Sequence, residues 1–267
     1  MKLRHLLLLL FFIGPPIRAQ DLVVDRATVY ASPAAPAIQN ATIVTHSGKI
    51  AKLTRHPVAP KKNATVVHCD GCVVCAGFWN THMHFTEPKW NDAAHARADR
   101  LATQLQEMLT HSGFTSVVDT GSVPANTTAL RRRIESGEIP GPRIYTAGGP
   151  LPDACHPVLP GRPSPRSGAQ LGQPETEADV HALAERNLAY GADLVKFFTG
   201  SYVGRGTVVT IKLPIARRAV EDAHRHGEPV FAHPSNAAGI RVAIDSGVDV
   251  LAHAPIPPTA WTMRPVA

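Results

Sequence analysis

At 267 residues, with 44% hydrophobic and 18% charged side chains, the chain can bury a large core as one large domain or two modest ones, which excludes a disordered or low-complexity protein. Its formal charge of +6 comes from dispersed basic residues. The densest run, Arg131-Arg132-Arg133, sits in an amphipathic helical pattern without interleaved aromatics, so it reads as a solvated face and no nucleic-acid partner is expected.

In chain order, Lys2 and Arg4 precede an apolar run over 6–13 that is too short to span a bilayer, and Ala19 offers a small residue for cleavage. Residues 1–19 are therefore read as a signal peptide. The expected protein is exported, to a periplasm or the outside, with no stable membrane insertion after cleavage. Residues 20–75 read as a small β domain. Its short strands lie at 22–24, 42–45, 49–53 and 65–67, with Ser47-Gly48 as a hairpin turn. Cys69, Cys72 and Cys75 recur at every third residue. In a strand-like run their alternation puts Cys72 on the opposite face from the other two, so a disulfide or plain buried thiols fit better than a zinc knuckle.

An apolar lead then runs into Gly77-Phe78-Trp79-Asn80-Thr81-His82-Met83-His84. Side chains alternate along a strand, so His82 and His84 fall on one face and can grip one ion together. From there one pattern recurs: a helix, a glycine that stops it, an apolar strand, and a polar residue at the strand's carboxyl end. A helix over 91–111 stops at Gly113 and a strand reaches Asp119. A helix over 175–190 stops at Gly191 and a strand runs to Lys196. Helices over 214–225 and 236–246 stop at Gly227 and Gly247, and their strands reach His233 and His253.

Apolar strands linked by helices predict an α/β fold with a parallel sheet buried on both faces. Rolled into a barrel, such a sheet gathers its carboxyl ends at one mouth, bringing together His82, His84, Lys196, His233 and His253 from different strands. Four imidazoles suit zinc, and a lysine among them makes sense once its amine has taken up carbon dioxide to become an anionic carbamate bridging two metals. Two metals sharing a bridging water would hold hydroxide ready to attack a carbonyl.

The motif from Gly77 to His84, with Val195-Lys196, Phe231-Ala232-His233 and Leu251-Ala252-His253 in that order, resembles the amidohydrolase superfamily, in its prolidase-like and imidazolonepropionase-like branch. The resemblance implies a β-sandwich-like N-terminal domain and a TIM-type (β/α) barrel over 76–267. It implies two divalent metal ions, zinc the expected metal, bound by His82, His84, His233 and His253 and bridged by a carbamylated Lys196, which is also the catalytic residue. It further implies hydrolysis of an amide or other carbon–nitrogen bond in a small-molecule or small-peptide substrate, with a homo-oligomer left open.

Members carry an aspartate at the end of strand 8. Asp249 lies within the sixth strand and cannot replace it. The expectation is thus an incomplete barrel, with strands 1 and 6 as open edges, and the alternative to an enzyme is a catalytically inactive metal-binding remnant.

Overall fold

The computed structural model describes residues 21–149, 176–204 and 207–254, with only the backbone described at 202–204 and 207. The expected signal peptide and Cys155 lie outside these residues. The chain divides into two compact units, Met1–Ala76 and Gly77–Ala267.

In the first unit, β1 (Leu22–Tyr30) pairs antiparallel with β2 (Ile38–His46), which pairs with β3 (Lys49–Thr54). The other edge of β1 takes two short parallel strands in succession, β4 (Thr65–His68) and β5 (Val73–Cys75). Ser47 and Gly48 both have positive φ, 50° and 75°, as a tight hairpin turn matching the strand twist requires. The resemblance implies a sandwich; the described residues form one mixed sheet, packed on Ala27, Val29, Ala41 and Ile43. Cys69 and Cys72 are joined by a disulfide, and Cys75 is free and exposed. The cysteines do not share one strand as their spacing suggested, because a turn at Asp70-Gly71 separates β4 from β5 and folds Cys72 back onto Cys69.

The second unit alternates strand and helix. It runs β6 (Phe78–Met83), α1 (Ala98–Met108), β7 (Phe114–Asp119), α2 (Pro124–Glu135), β8 (Arg143–Thr146), α3 (Glu177–Ala189) and β9 (Val195–Phe198). A hairpin of β10 (Gly200–Gly204) and β11 (Thr207–Thr210) follows, then α4 (Leu213–Arg225), β12 (Val230–His233), α5 (Ala237–Ser246) and β13 (Val250–Leu251). Two three-stranded parallel sheets result, in the orders β6-β7-β8 and β9-β12-β13. The Asp193 N–H donates to the Thr146 carbonyl at 2.8 Å and the Thr146 N–H donates to Asp193 Oδ2 at 2.9 Å, stitching β8 to the approach to β9.

Both faces of β7 and β9 are packed, as buried parallel strands require. On β7, Val117 joins Leu101, Leu105 and Leu130 of the helical layer, while the next residue, Val118, points the other way to Ala147 and Leu194. On β9, Val195 and Phe197 pack with Ala219 and Val220 of α4. The residue between them, Lys196, therefore faces inward.

The helix expected over 91–111 is shorter. Asp92 adopts a positive φ of 57° and its carboxylate bonds His95, so 91–97 is turns and the helix begins at Ala98. The Arg131–133 run is also not a solvated face. Arg131 donates to Asp193 and to the Gly191 carbonyl, and Arg133 to the carbonyls of Ala93 and Ala96, so only Arg132 faces water. Among the described residues no helix is long and apolar enough to cross a membrane.

Candidate functional site

The sequence-predicted histidines meet at the carboxyl ends of their strands. His82 is the next-to-last residue of β6 and His84 is the first residue past it, their ring centroids 5.5 Å apart. His233 ends β12, and His253 lies two residues beyond β13, with centroids 4.1 Å apart and one hydrogen bond of 2.7 Å between His253 Nε2 and His233 Nδ1. The two pairs join through His82 and His253, which stack with centroids 5.6 Å apart and planes within 18°.

Two of the rings are fixed by backbone carbonyls. His84 Nδ1 lies 2.7 Å from the Gly121 carbonyl and His82 Nδ1 lies 3.2 Å from that of Ala252. A carbonyl can only accept, so in each ring Nδ1 carries the proton and Nε2 keeps its lone pair, the tautomer that a metal-ligating imidazole needs. The Asn80 side chain supports the approach by accepting the His82 N–H at 3.1 Å.

Lys196 is not at the end of its strand, as the sequence pattern suggests. β9 continues through Phe198, and Lys196 pairs with Phe231 while His233 pairs with Phe198. Two residues of parallel strand put Lys196 about 6–7 Å deeper than His233, a depth that a four-carbon stem can make up. The side chain is 2% exposed, its Nζ 5.4 Å from the Phe198 ring centroid, and its charge reaches His82. Burial first, and then the Lys196 ammonium, push the His82 imidazole down to about 4, so it is neutral at physiological pH. The donor set thus suits a divalent ion in residue type, and His82 suits it in tautomer and charge as well. The four rings bond and stack on one another, and among the described residues no group of three or more His, Cys, Asp or Glu side chains stands ready around one point.

Sequence reasoning left Asp119, at the end of β7, without a role. Its carboxylate is fully buried and accepts hydrogen bonds from Ser122 Oγ at 2.6 Å, the Gly121 N–H at 3.1 Å, Thr146 Oγ1 at 3.0 Å and Thr127 Oγ1 at 3.1 Å. Burial pushes this carboxyl above the usual range, against the pull of those donors. The signal was in the sequence, since Asp119 ends its apolar strand just as His233 and His253 end theirs. Its partners come from three other stretches of chain.

The sequence model of the amidohydrolase family matches residues 73–254. No curated protein matches the chain. Among solved structures, the chain is similar to a Bifidobacterium longum protein assigned as a prolidase, with 24% identity and a TM-score of 0.68, covering 87% of this chain and 54% of that one. It is similar to a Xaa-Pro dipeptidase with methionine in its active site, with 21% identity and a TM-score of 0.70, covering 86% and 61%. Molinate hydrolase gives 19% identity and a TM-score of 0.72, covering 90% and 60%. At such identities the likeness shows the α/β fold, and the chain spans little more than half to three fifths of these proteins' length.

Proposed function

Because the chain belongs to the amidohydrolase family, we infer that it is a metal-dependent hydrolase of an amide or other carbon–nitrogen bond in a small peptide or cyclic amide. The observation that carries this reading is the meeting of four imidazoles from the ends of three strands above the inward, buried Lys196. Small peptides lead the substrate classes because two of the similar structures are named as a prolidase and a Xaa-Pro dipeptidase.

In this reading His82, His84, His233 and His253, with Lys196 as its carbamate, would hold two divalent ions, zinc the expected metal. Such ions, when bound, polarise the scissile carbonyl and make water acidic enough to act as a nucleophile near neutral pH. The protein's own part is to present neutral donors. Burial holds His82 unprotonated, and the carbonyls of Gly121 and Ala252 accept from Nδ1 of His84 and His82, leaving Nε2 of each ring as the nitrogen that would ligate an ion. His253 Nε2 and His233 Nδ1 are hydrogen-bonded to each other, and that bond would have to open for both nitrogens to serve as ligands. Export is part of the same reading, carried by residues 1–19.

One observation favours a rival, a metal-binding remnant without turnover: the four rings bond and stack on one another, and among the described residues no group of three or more His, Cys, Asp or Glu side chains stands around one point. Metal analysis of the purified chain after zinc loading, with intact mass and circular dichroism, separates the two. About two ions per folded chain, and the added mass of one carbon dioxide that Lys196→Ala removes, support the hydrolase and justify assaying dipeptides. Two ions with no turnover on any dipeptide or cyclic amide support the remnant. A folded chain that binds no zinc overturns both.

A further inference from the structure

The Gly121-Ser122 turn after β7 is where the buried Asp119 and the His84 ring meet. Gly121 is held from both sides: its N–H donates to Asp119 Oδ1 at 3.1 Å and its carbonyl accepts His84 Nδ1–H at 2.7 Å. Its φ of 140° is one that glycine adopts freely and residues with a side chain do not, so the turn depends on glycine at this position. Ser122 is held likewise. Its hydroxyl donates to Asp119 Oδ1 at 2.6 Å and accepts the Phe85 N–H at 2.7 Å, fixing the residue that follows His84.

The other oxygen of Asp119 reaches the rigid scaffold. Oδ2 accepts from Thr146 Oγ1 at the end of β8 and from Thr127 Oγ1 on α2, both fully buried. Thr146 Oγ1 in turn accepts the Gly148 N–H at 2.9 Å, and the Gly148 carbonyl accepts the Ser122 N–H at 3.1 Å, closing a ring of bonds behind the turn. His84 itself is exposed, and its Nε2 lies 3.4 Å from Thr120 Oγ1, a longer contact than the 2.7 Å bond at Nδ1.

We propose that Asp119 is a positioning residue: through Gly121 and Ser122 it ties the ends of β7 and β8 and α2 to the backbone at His84, and so locks the His84 imidazole in the Nδ1–H tautomer with Nε2 toward the metal. The proposal rests on the reading of His84 as a metal ligand, but the tautomer lock does not need a metal to be seen. The chemistry sorts the variants. Asp119→Ala removes all four acceptor contacts. Asp119→Asn keeps a carbonyl oxygen for Gly121 and Ser122, and its amide can donate to the hydroxyls of Thr127 and Thr146, which rotate to accept.

The test is a side-chain nitrogen NMR measurement on the metal-free full chain near pH 8, where a histidine is neutral, with zinc affinity by chelator competition on the same samples. Wild type shows His84 as one Nδ1–H tautomer. Asp119→Ala shows a mixture and binds zinc about 10–100-fold more weakly, and Asp119→Asn restores both toward wild type. A folded Asp119→Ala that keeps the single tautomer overturns the proposal, as does an Asp119→Asn as impaired as the alanine variant. Should Asp119→Ala fail to fold, Ser122→Ala decides: a mixed tautomer supports the lock and an unchanged one overturns it. If wild type binds no zinc, the metal reading falls and the tautomer result alone decides the role of Asp119.

Discussion

Gly77 stands at the foot of the strand that delivers His82, and a single added methyl has nowhere to go there. A Cβ on Gly77 would fall 2.0 Å from Thr115 Oγ1 and 2.6 Å from Thr115 Cβ, so β6 and β7 approach closely only because that position has no side chain. Gly77→Ala is expected to cost about 1–3 kcal/mol, the usual cost of overpacking, and to lower zinc binding as the β6–β7 register opens. Urea unfolding reads the first and metal titration the second; an unchanged midpoint would show that the strands slide apart freely. At this scale much of the candidate site was legible, because each histidine follows an apolar strand and so announces itself. The depth of Lys196 was not, since Phe197 and Phe198 prolong its strand through pairing with Ala232 and His233, a contact made through space. The Asp119 network was hidden for the same reason.

One device recurs at the entry to the strands. Gly191-Ala192-Asp193 and Gly247-Val248-Asp249 each end a helix and begin a strand, and each aspartate accepts from the first strand's backbone beside it and from a basic side chain on a helix. Asp193 takes the Thr146 N–H and Arg131, and Asp249 takes the Val230 N–H and His224. Burial pushes the Asp249 carboxyl up, but the His224 and Val230 hydrogen bonds outweigh it and hold it below the usual range. A carboxyl depressed in the folded state adds stability that is present above its unfolded value and lost as pH falls through the folded one. Wild type should therefore lose stability below about pH 4 through this residue, and Asp249→Asn should lack that increment and lose less on acidification. Thermal melts of both between about pH 5 and pH 3 decide it; parallel acid limbs would remove Asp249 from the account. In the helical layer, Leu105 of α1 is fully buried, and Leu105→Ala should cost about 2–5 kcal/mol in urea unfolding. The glycine stops and apolar strands made these elements readable in advance. β8 was missed because Arg143-Ile144-Tyr145-Thr146 is four residues with one buried aliphatic, too short for a period to emerge.

Across the whole barrel-type unit, the six parallel strands run from β6 to β13, and among the described residues each of these two pairs with a strand on one side only. The sequence led to that expectation by counting strand ends, and the apolar surface on those two strands gives it a consequence. Phe78 and Trp79 of β6 are 55% and 54% exposed, and Val250 and Leu251 of β13 are 38% and 42% exposed. Open backbone edges flanked by large apolar side chains template pairing with another copy, and a lysine on such an edge is the usual guard against it. These edges should therefore favour association as the protein's concentration rises. Trp79→Lys should shift it toward monomer, because it places a charge on the β6 edge and removes the ring stacked on Tyr145 at 5.3 Å. Sedimentation velocity over a range of concentrations reads this directly. Equal association in both proteins would mean that the β6 edge is already covered.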